Sequence, residues 1–199
     1  MAADQIIGLY ERHAQAYDAE RGRSLFEKAW LDRFLGLLPP APAVLDIGCG
    51  HGEPIAAYLI GQGCRLTGID SSPSLIALCR ERFPAHRWSV ADMRLLSLEQ
   101  QFDGILAWDS FFRLTVEDQR RMFPLFRKHA ASGAALMFTS GPYHGEAIGS
   151  YHGEPLYHAS LAPEEYRSQL DAQDFEVVAH RADDPDCTGH TIWLAQLRP

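Results

Sequence analysis

The sequence predicts an α/β fold: a doubly wound sheet of seven strands, mostly parallel, ending in an antiparallel C-terminal hairpin strand and preceded by a helical cap. Three observations carry this expectation. From residue 43 onward, short apolar runs alternate with amphipathic stretches, the β-α-β-α order of a parallel sheet covered on both faces. The first run, Val44-Leu45-Asp46-Ile47, stops at Gly48-Cys49-Gly50-His51-Gly52-Glu53-Pro54, where glycine falls at every second position. The last two runs, separated by Ala182-Asp183-Asp184-Pro185-Asp186-Cys187-Thr188-Gly189, have no helix between them and pair as a hairpin.

Each element follows from its residues. Residues 4 to 38 read as two helices. Ile6, Leu9, Tyr10, His13 and Tyr17 recur at three- and four-residue steps, as do Leu25, Phe26, Trp30, Phe34, Leu35 and Leu38. A break falls around Arg21-Gly22-Arg23-Ser24, and Pro39-Pro40 closes the second helix. Strand one is Ala43 to Gly48, followed by a short helix from Pro54 to about Ile60. Strand two runs Cys64 to Asp70; Ser72 and Pro73 then cap and open a helix carrying Leu75, Ile76 and Leu78. Strand three is His86 to Ala91, with Asp92-Met93 at its end, and strand four is Phe102 to Trp108, with Asp109 at its tip. Thr115 with Asp118 forms a capping box for a helix to Ala130, strained or broken near Pro124. Strand five is Ala134 to Thr139. Residues 140 to 160 lose periodicity and read as a functional loop. A helix from Pro163 to Ala172 precedes the final strands, Phe175 to Arg181 and His190 to Leu197. In these, His180 and His190 are expected to face each other in a structural role.

At 199 residues the chain fits one domain with a sizeable core. It divides into a cap over residues 1–40 and a core over residues 41–199 that carries the 140–160 loop. A formal charge of -8 disfavours phosphate-backbone binding, so no nucleic-acid partner is expected. The basic group Arg120, Arg121, Arg127 and Lys128 reads as a solvated helix face. No apolar run approaches the ~20 residues of a membrane span, and Met1-Ala2-Ala3-Asp4-Gln5 lacks a signal pattern. The expectation is a cytoplasmic protein with no membrane partner, monomer or homodimer. Cys49, Cys64, Cys79 and Cys187 form no C-x-x-C pair and read as buried free thiols. His144, His152, His158 and Glu154 match no metal-ligand spacing, so no metal is assigned.

A strand, a glycine turn and a helix N-terminus together let a ligand approach the main chain closely. The spacing is G-x-G-x-G, not the G-x-G-x-x-G of nicotinamide-binding folds, which argues against an oxidoreductase. Asp46, just before the glycines, repels a pyrophosphate and suits a cationic, amine-bearing ligand. The stretch resembles motif I of the class I S-adenosylmethionine-dependent methyltransferases. With Asp70, Asp92-Met93 and the strand-four tip, the resemblance covers residues 43 to about 140; the terminal hairpin adds topology.

The resemblance implies a Rossmann-like core, S-adenosyl-L-methionine as cofactor, S-adenosyl-L-homocysteine as product, and in-line methyl transfer to a small-molecule acceptor. Two alternatives stay open: a cofactor-binding protein of this fold without transferase activity, and a nucleic-acid methyltransferase. For the second, Trp108-Asp109-Ser110-Phe111 lacks the Asn-Pro-Pro-Tyr type of signature. The resemblance also implies roles. Gly48, Cys49, Gly50 and Gly52 wrap the methionine part, and Asp46 holds its ammonium. Asp70, with Ser71, takes the ribose diol, while Asp92 and Met93 meet the adenine. Trp108, Asp109 and Ser110 lie beside the cofactor, with Asp109 near the sulfonium. The cap and the 140–160 loop lie outside the resemblance; from their aromatic and basic residues, Tyr10, Tyr17 and Arg21 of the cap are expected to close over the cofactor. His144, His152 and His158, each paired with a tyrosine, are the candidate bases and acceptor contacts, because imidazole titrates near neutrality.

Overall fold

The computed structural model describes residues 5–198. Three short helices come first: α1 (Ile6–Arg12), α2 (Ala14–Glu20) and α3 (Lys28–Leu35). The alternating part follows as β1 (Ala43–Ile47), α4 (Ile55–Gly61), β2 (Arg65–Asp70), α5 (Pro73–Arg82), β3 (Arg87–Val90), β4 (Phe102–Ala107), α6 (Val116–His129) and β5 (Ala130–Ser140). Then come β6 (Gly145–Tyr151), β7 (Glu154–Ser160), α7 (Pro163–Ala172), β8 (Phe175–Asp184) and β9 (His190–Leu197). The expected helix start at residue 4 lies outside the described residues.

Seven strands form one sheet in the order β3-β2-β1-β4-β5-β9-β8. Neighbours from β3 to β5 pair in parallel, and β9 runs antiparallel to both β5 and β8. The sheet therefore matches the expected doubly wound fold with one reversed strand. β1, at its centre, is buried at all five positions, which is why it reads as an apolar run without alternation. Apolar side chains fill both faces. One face holds Phe111, Phe123, Phe126, Phe138, Tyr166 and Trp193, and the other Trp30, Phe34, Leu59, Ile76, Trp88 and Met137. No helix among the described residues is long and apolar enough to cross a membrane.

The predicted caps form. Ser72 Oγ accepts the Leu75 N–H at 3.2 Å, and Thr115 Oγ1 accepts the Asp118 N–H at 3.1 Å. Helix α6 passes through Pro124 without ending there, because Met122, Phe123 and Phe126 are fully buried on either side of it. Burial of that face outweighs the missing backbone bond.

Other expectations are corrected. The first predicted helix is two, broken at His13, whose backbone leaves helical values (φ -107, ψ 17) and whose Nε2 pairs with Glu154 Oε1 at 2.7 Å. Residues 140 to 160 are not a loop: β6 and β7 form a two-stranded antiparallel hairpin. Its pattern escaped the sequence because β6 is almost wholly exposed and carries no apolar alternation. His180 and His190 do not face each other. His180 pairs with Trp193 and stacks on it at 3.6 Å, while His190 pairs with Asp184.

The hairpin grips the cap. Ile6 and Leu9 pack against Tyr157 and Ala159, Tyr151 stacks on Tyr10 at 6.3 Å, and Glu154 bonds both Arg12 and His13. Those two partners hold the Glu154 carboxyl down at about 2. Glu154→Ala should speed tryptic cleavage at Arg12, Arg21 and Arg23 while the thermal midpoint hardly moves. Unchanged cleavage kinetics would show that apolar packing alone seats the cap.

Candidate active site

The strand order reverses between β1 and β4, and in such sheets ligands sit beyond the carboxyl ends of the strands at that point. A cleft opens there, and it is built from four strand ends and the cap. After β1, Gly48 and Gly50 line it. Gly48 has φ +75, and a Cβ there would lie 2.3 Å from Ser110 Cβ, so no other residue fits between the two strand ends. Ser110 Oγ in turn donates to the Ile47 carbonyl at 2.6 Å.

After β2, Asp70 and Ser71 line the cleft. Asp70 Oδ2 accepts the Gly50 N–H at 3.0 Å and Oδ1 accepts the Ser72 N–H at 2.9 Å. Burial raises the Asp70 pKa, opposed by these main-chain donors. After β3, Asp92 and Met93 line the same space. The Arg94 guanidinium spans both Asp92 oxygens at 2.6–3.0 Å. Burial works against the Asp92 charge, but the Arg94 bonds outweigh it and hold the carboxyl below its usual range.

After β4 come Trp108, Asp109 and Ser110. Asp109 sits at φ +52, and its N–H donates to Thr139 Oγ1 at 2.8 Å. His190 Nε2 lies 3.0 and 3.2 Å from its two oxygens, and the imidazole stacks on Trp108. Burial lowers the His190 pKa, but the Asp109 bond and charge prevail and raise it. The cap supplies Ile6, Ile7, Tyr10 and Tyr17, the two phenols edge to face at 5.5 Å. Burial raises both phenol pKa values, so both are neutral donors.

Other candidates stand outside the cleft lining. Asp46 is buried within β1, and burial together with the Asp70 charge pushes its pKa up to about 7. Cys49 packs toward Gly68, and Gly52 toward Phe83. Arg21 turns to the fully buried Glu27 and to Phe26. His144 is exposed on the hairpin approach. His152 is also exposed; it pairs with Glu20 and stacks on His13 at 4.9 Å. His158 comes nearest, but its Nε2 faces Arg113 Nη1 and its Nδ1 meets the Leu156 carbonyl at 3.1 Å.

The one metal-sized group among the described residues is Asp18, His51 and Glu53. Arg82 and Arg23 already neutralise it, reaching Asp18 at 2.7 and 2.9 Å and Glu53 at 3.4 and 3.2 Å. Burial holds His51 near 4. The group is an ion-paired latch from α2 to the glycine turn and α5.

Sequence reasoning missed Arg113 and Arg94, which line the cleft, and His190. Arg113 ends the short turn after Trp108-Asp109-Ser110, a position the strand-four reading reached without following further.

Residues 44–133 match the family pattern described as "Methyltransferase domain". That match takes in less than half of the chain, and over those residues the chain is similar to methyltransferase domains. It is 27% identical over 132 residues to a dTDP-4-amino-2,3,4,6-tetradeoxy-D-glucose N,N-dimethyltransferase of Saccharopolyspora spinosa, covering 63% of this chain and 53% of the relative. It is 40% identical over 84 residues to a trans-aconitate 2-methyltransferase of Escherichia coli, covering 41% of this chain and 32% of the relative. The chain thus spans about half and about a third of the lengths of these curated relatives. Among solved structures, the sugar N-methyltransferase from Streptoalloteichus superposes with TM-score 0.75 at 18% identity, covering 93% of this chain and 92% of the other. That likeness establishes a shared methyltransferase fold.

The Asp109–His190 pair makes a pH-dependent prediction. A histidine whose folded pKa is raised contributes stability that is full below its unfolded pKa, about 6.5, and lost as pH climbs through the folded value. Asp109→Asn, which tolerates the positive φ, should therefore cost more stability at pH 5.5 than at pH 9 by denaturant unfolding. Equal losses at both pH values would contradict the ion pair.

Proposed function

We propose that this chain binds S-adenosyl-L-methionine in the cleft and transfers its methyl group to a small-molecule acceptor, leaving S-adenosyl-L-homocysteine. The observation that carries the reading is Asp70. It lines the cleft 3.0 Å from the Gly50 N–H, yet each oxygen keeps lone pairs beyond its main-chain bond, as a ribose diol requires. The donor set suits the rest of the cofactor as well. Gly48 and Gly50 bring bare main chain to the cleft, Asp92 and Met93 of the same lining would read an adenine edge, and Trp108 Nε1 is a buried donor without a partner.

A bound S-adenosyl-L-methionine supplies an electrophilic methyl on a sulfonium, already a good leaving group. The chain's own residues then have to align and to exclude water. Tyr10, Tyr17, Ile6 and Ile7 roof the cleft from the cap. Asp109, backed by His190, is the cleft carboxylate at the strand-four tip and the residue placed to take a proton from an acceptor that must lose one. The three hairpin and loop histidines are replaced in that proposed role, since His144, His152 and His158 do not line the cleft.

The enclosing cap and hairpin favour a small acceptor over a macromolecule, and the overall charge of -8 points the same way. The relatives' names agree: an amino sugar for one, trans-aconitate for another.

Asp70→Ala should weaken S-adenosyl-L-homocysteine binding by roughly 1.5–3 kcal/mol in calorimetric titration, the scale of hydrogen bonds to a charged group. Undiminished affinity in a variant that melts cooperatively would overturn the ribose assignment.

A further inference from the structure

Among the described residues, Arg113 is the one cation of the cleft lining with no carboxylate partner. Asp92 is spanned by Arg94, and Asp118 lies 3.6 Å from Arg94 and 3.7 Å from Arg121. Asp109 meets His190, and Asp70 is held by main-chain N–H groups. Arg94 is satisfied by its two acids. Among the described residues no carboxylate lies within ion-pair distance of Arg113, in a chain with 26 acidic and 18 basic residues. An acid-rich protein that keeps one half-buried guanidinium unpaired in its cleft leaves a charge for something else to meet.

The guanidinium is also held in place. Nη1 donates to His158 Nε2 and to the Tyr157 carbonyl at 3.4 Å. The Leu156 carbonyl, 3.1 Å from His158 Nδ1, takes the ring proton there and leaves Nε2 as the acceptor facing Arg113. Burial and the neighbouring Arg113 charge lower the His158 pKa, in keeping with that neutral form. Phe112 lies under the guanidinium at 4.9 Å and Tyr10 at 6.0 Å. Nε is buried without a partner, and Nη2 makes no hydrogen bond among the described residues. Trp108, also a lining residue of the cleft, has a buried Nε1 without a partner. Buried donors are ordinarily satisfied, so a lining guanidinium whose Nε and Nη2 both lack partners marks where a ligand oxygen belongs.

We infer that Arg113 anchors a carboxylate of the methyl acceptor, with His158 as the positioning residue that orients the guanidinium. A planar fork with one nitrogen committed and the rest uncommitted is matched to a planar oxyanion. The inference rests on the cleft being the S-adenosyl-L-methionine site and names the class of acceptor it receives: a small carboxylic acid. His158 thereby acts through Arg113, not as a base.

The test is calorimetric titration of citrate, benzoate, inorganic phosphate and neutral triethyl citrate into the protein, free and saturated with S-adenosyl-L-homocysteine. At least one carboxylate should bind, triethyl citrate should not, and Arg113→Met should weaken carboxylate binding about tenfold or more. Arg113→Lys should fall between, and both variants should keep S-adenosyl-L-homocysteine affinity within about twofold, a change below the ordinary scale of a lost charged hydrogen bond. Absence of binding by both carboxylates, equal binding by Arg113→Met, or a preference for phosphate would overturn the inference. So would a large loss of S-adenosyl-L-homocysteine affinity in Arg113→Met, which would give the guanidinium to the cofactor's own carboxylate. Failure of the wild-type protein to bind S-adenosyl-L-homocysteine would instead overturn the cofactor reading, and the titration of free protein would still decide the carboxylate site.

Discussion

A single carboxylate, Asp70, ties the end of β2 to the turn that follows β1. Its two oxygens take main-chain N–H groups from Gly50 and Ser72, so it fixes both the glycine turn and the start of α5. Those donors favour the ionised form, while burial, the larger effect, raises the Asp70 pKa. The ionised form also acts one strand away. Asp46, wholly enclosed in β1, is pushed toward neutrality by its own burial and by Asp70. The two acids nearest the turn are therefore unequal: Asp70 lines the cleft and accepts main-chain N–H groups, while Asp46 lies enclosed behind it with its pKa pushed up to about 7.

The sheet was legible because its central strands are buried on both faces and its helices open with unambiguous caps at Ser72 and Thr115. Strand ends in a parallel sheet share one edge, so the sequence alone placed Gly48, Gly50, Asp70, Asp92 and Asp109 in one region. What escaped was whatever depended on the reversed strand or on contacts between distant segments. An antiparallel strand begins where its parallel neighbours end, and so His190, the first residue of β9, arrives beside Asp109, 81 residues earlier in the chain. Arg21 illustrates the other failure: its cap helix was found, but the buried Glu27 six residues on claims its side chain. A sequence pattern shows which helix face is apolar and says nothing of which acid a surface arginine will choose.

The hairpin shows how a polar segment can hide its structure. Nearly every β6 side chain is exposed, and β7 buries only Tyr157, Ala159 and Ser160, too little for a period-two signal. Its strands are held instead by the cross-strand ladder and by Gln119, whose Nε2 donates to the Ala159 carbonyl at 2.8 Å while its Oε1 accepts the Tyr166 hydroxyl at 2.6 Å. A buried, fully engaged amide of this kind fixes β7 against α6 and α7. The tyrosines and histidines that looked like an acceptor surface are then largely spent on gripping α1 and α2.

That grip joins the two halves of the cleft. Tyr10 stands edge to face with Tyr17 over the glycine turn, stacks on Tyr151 of the hairpin, and lies against the Arg113 guanidinium. Arg113 is itself held by β7 through His158 and the Tyr157 carbonyl. A displacement of α1 therefore moves the roof over the glycine turn and one wall of the Arg113 site together, because one aromatic ring belongs to both. Tight packing transmits such a shift instead of absorbing it. In a cleft where every acid is already compensated, the same ring also shields the one unpaired cation from water, which strengthens its attraction for an anion that enters beneath the closed cap.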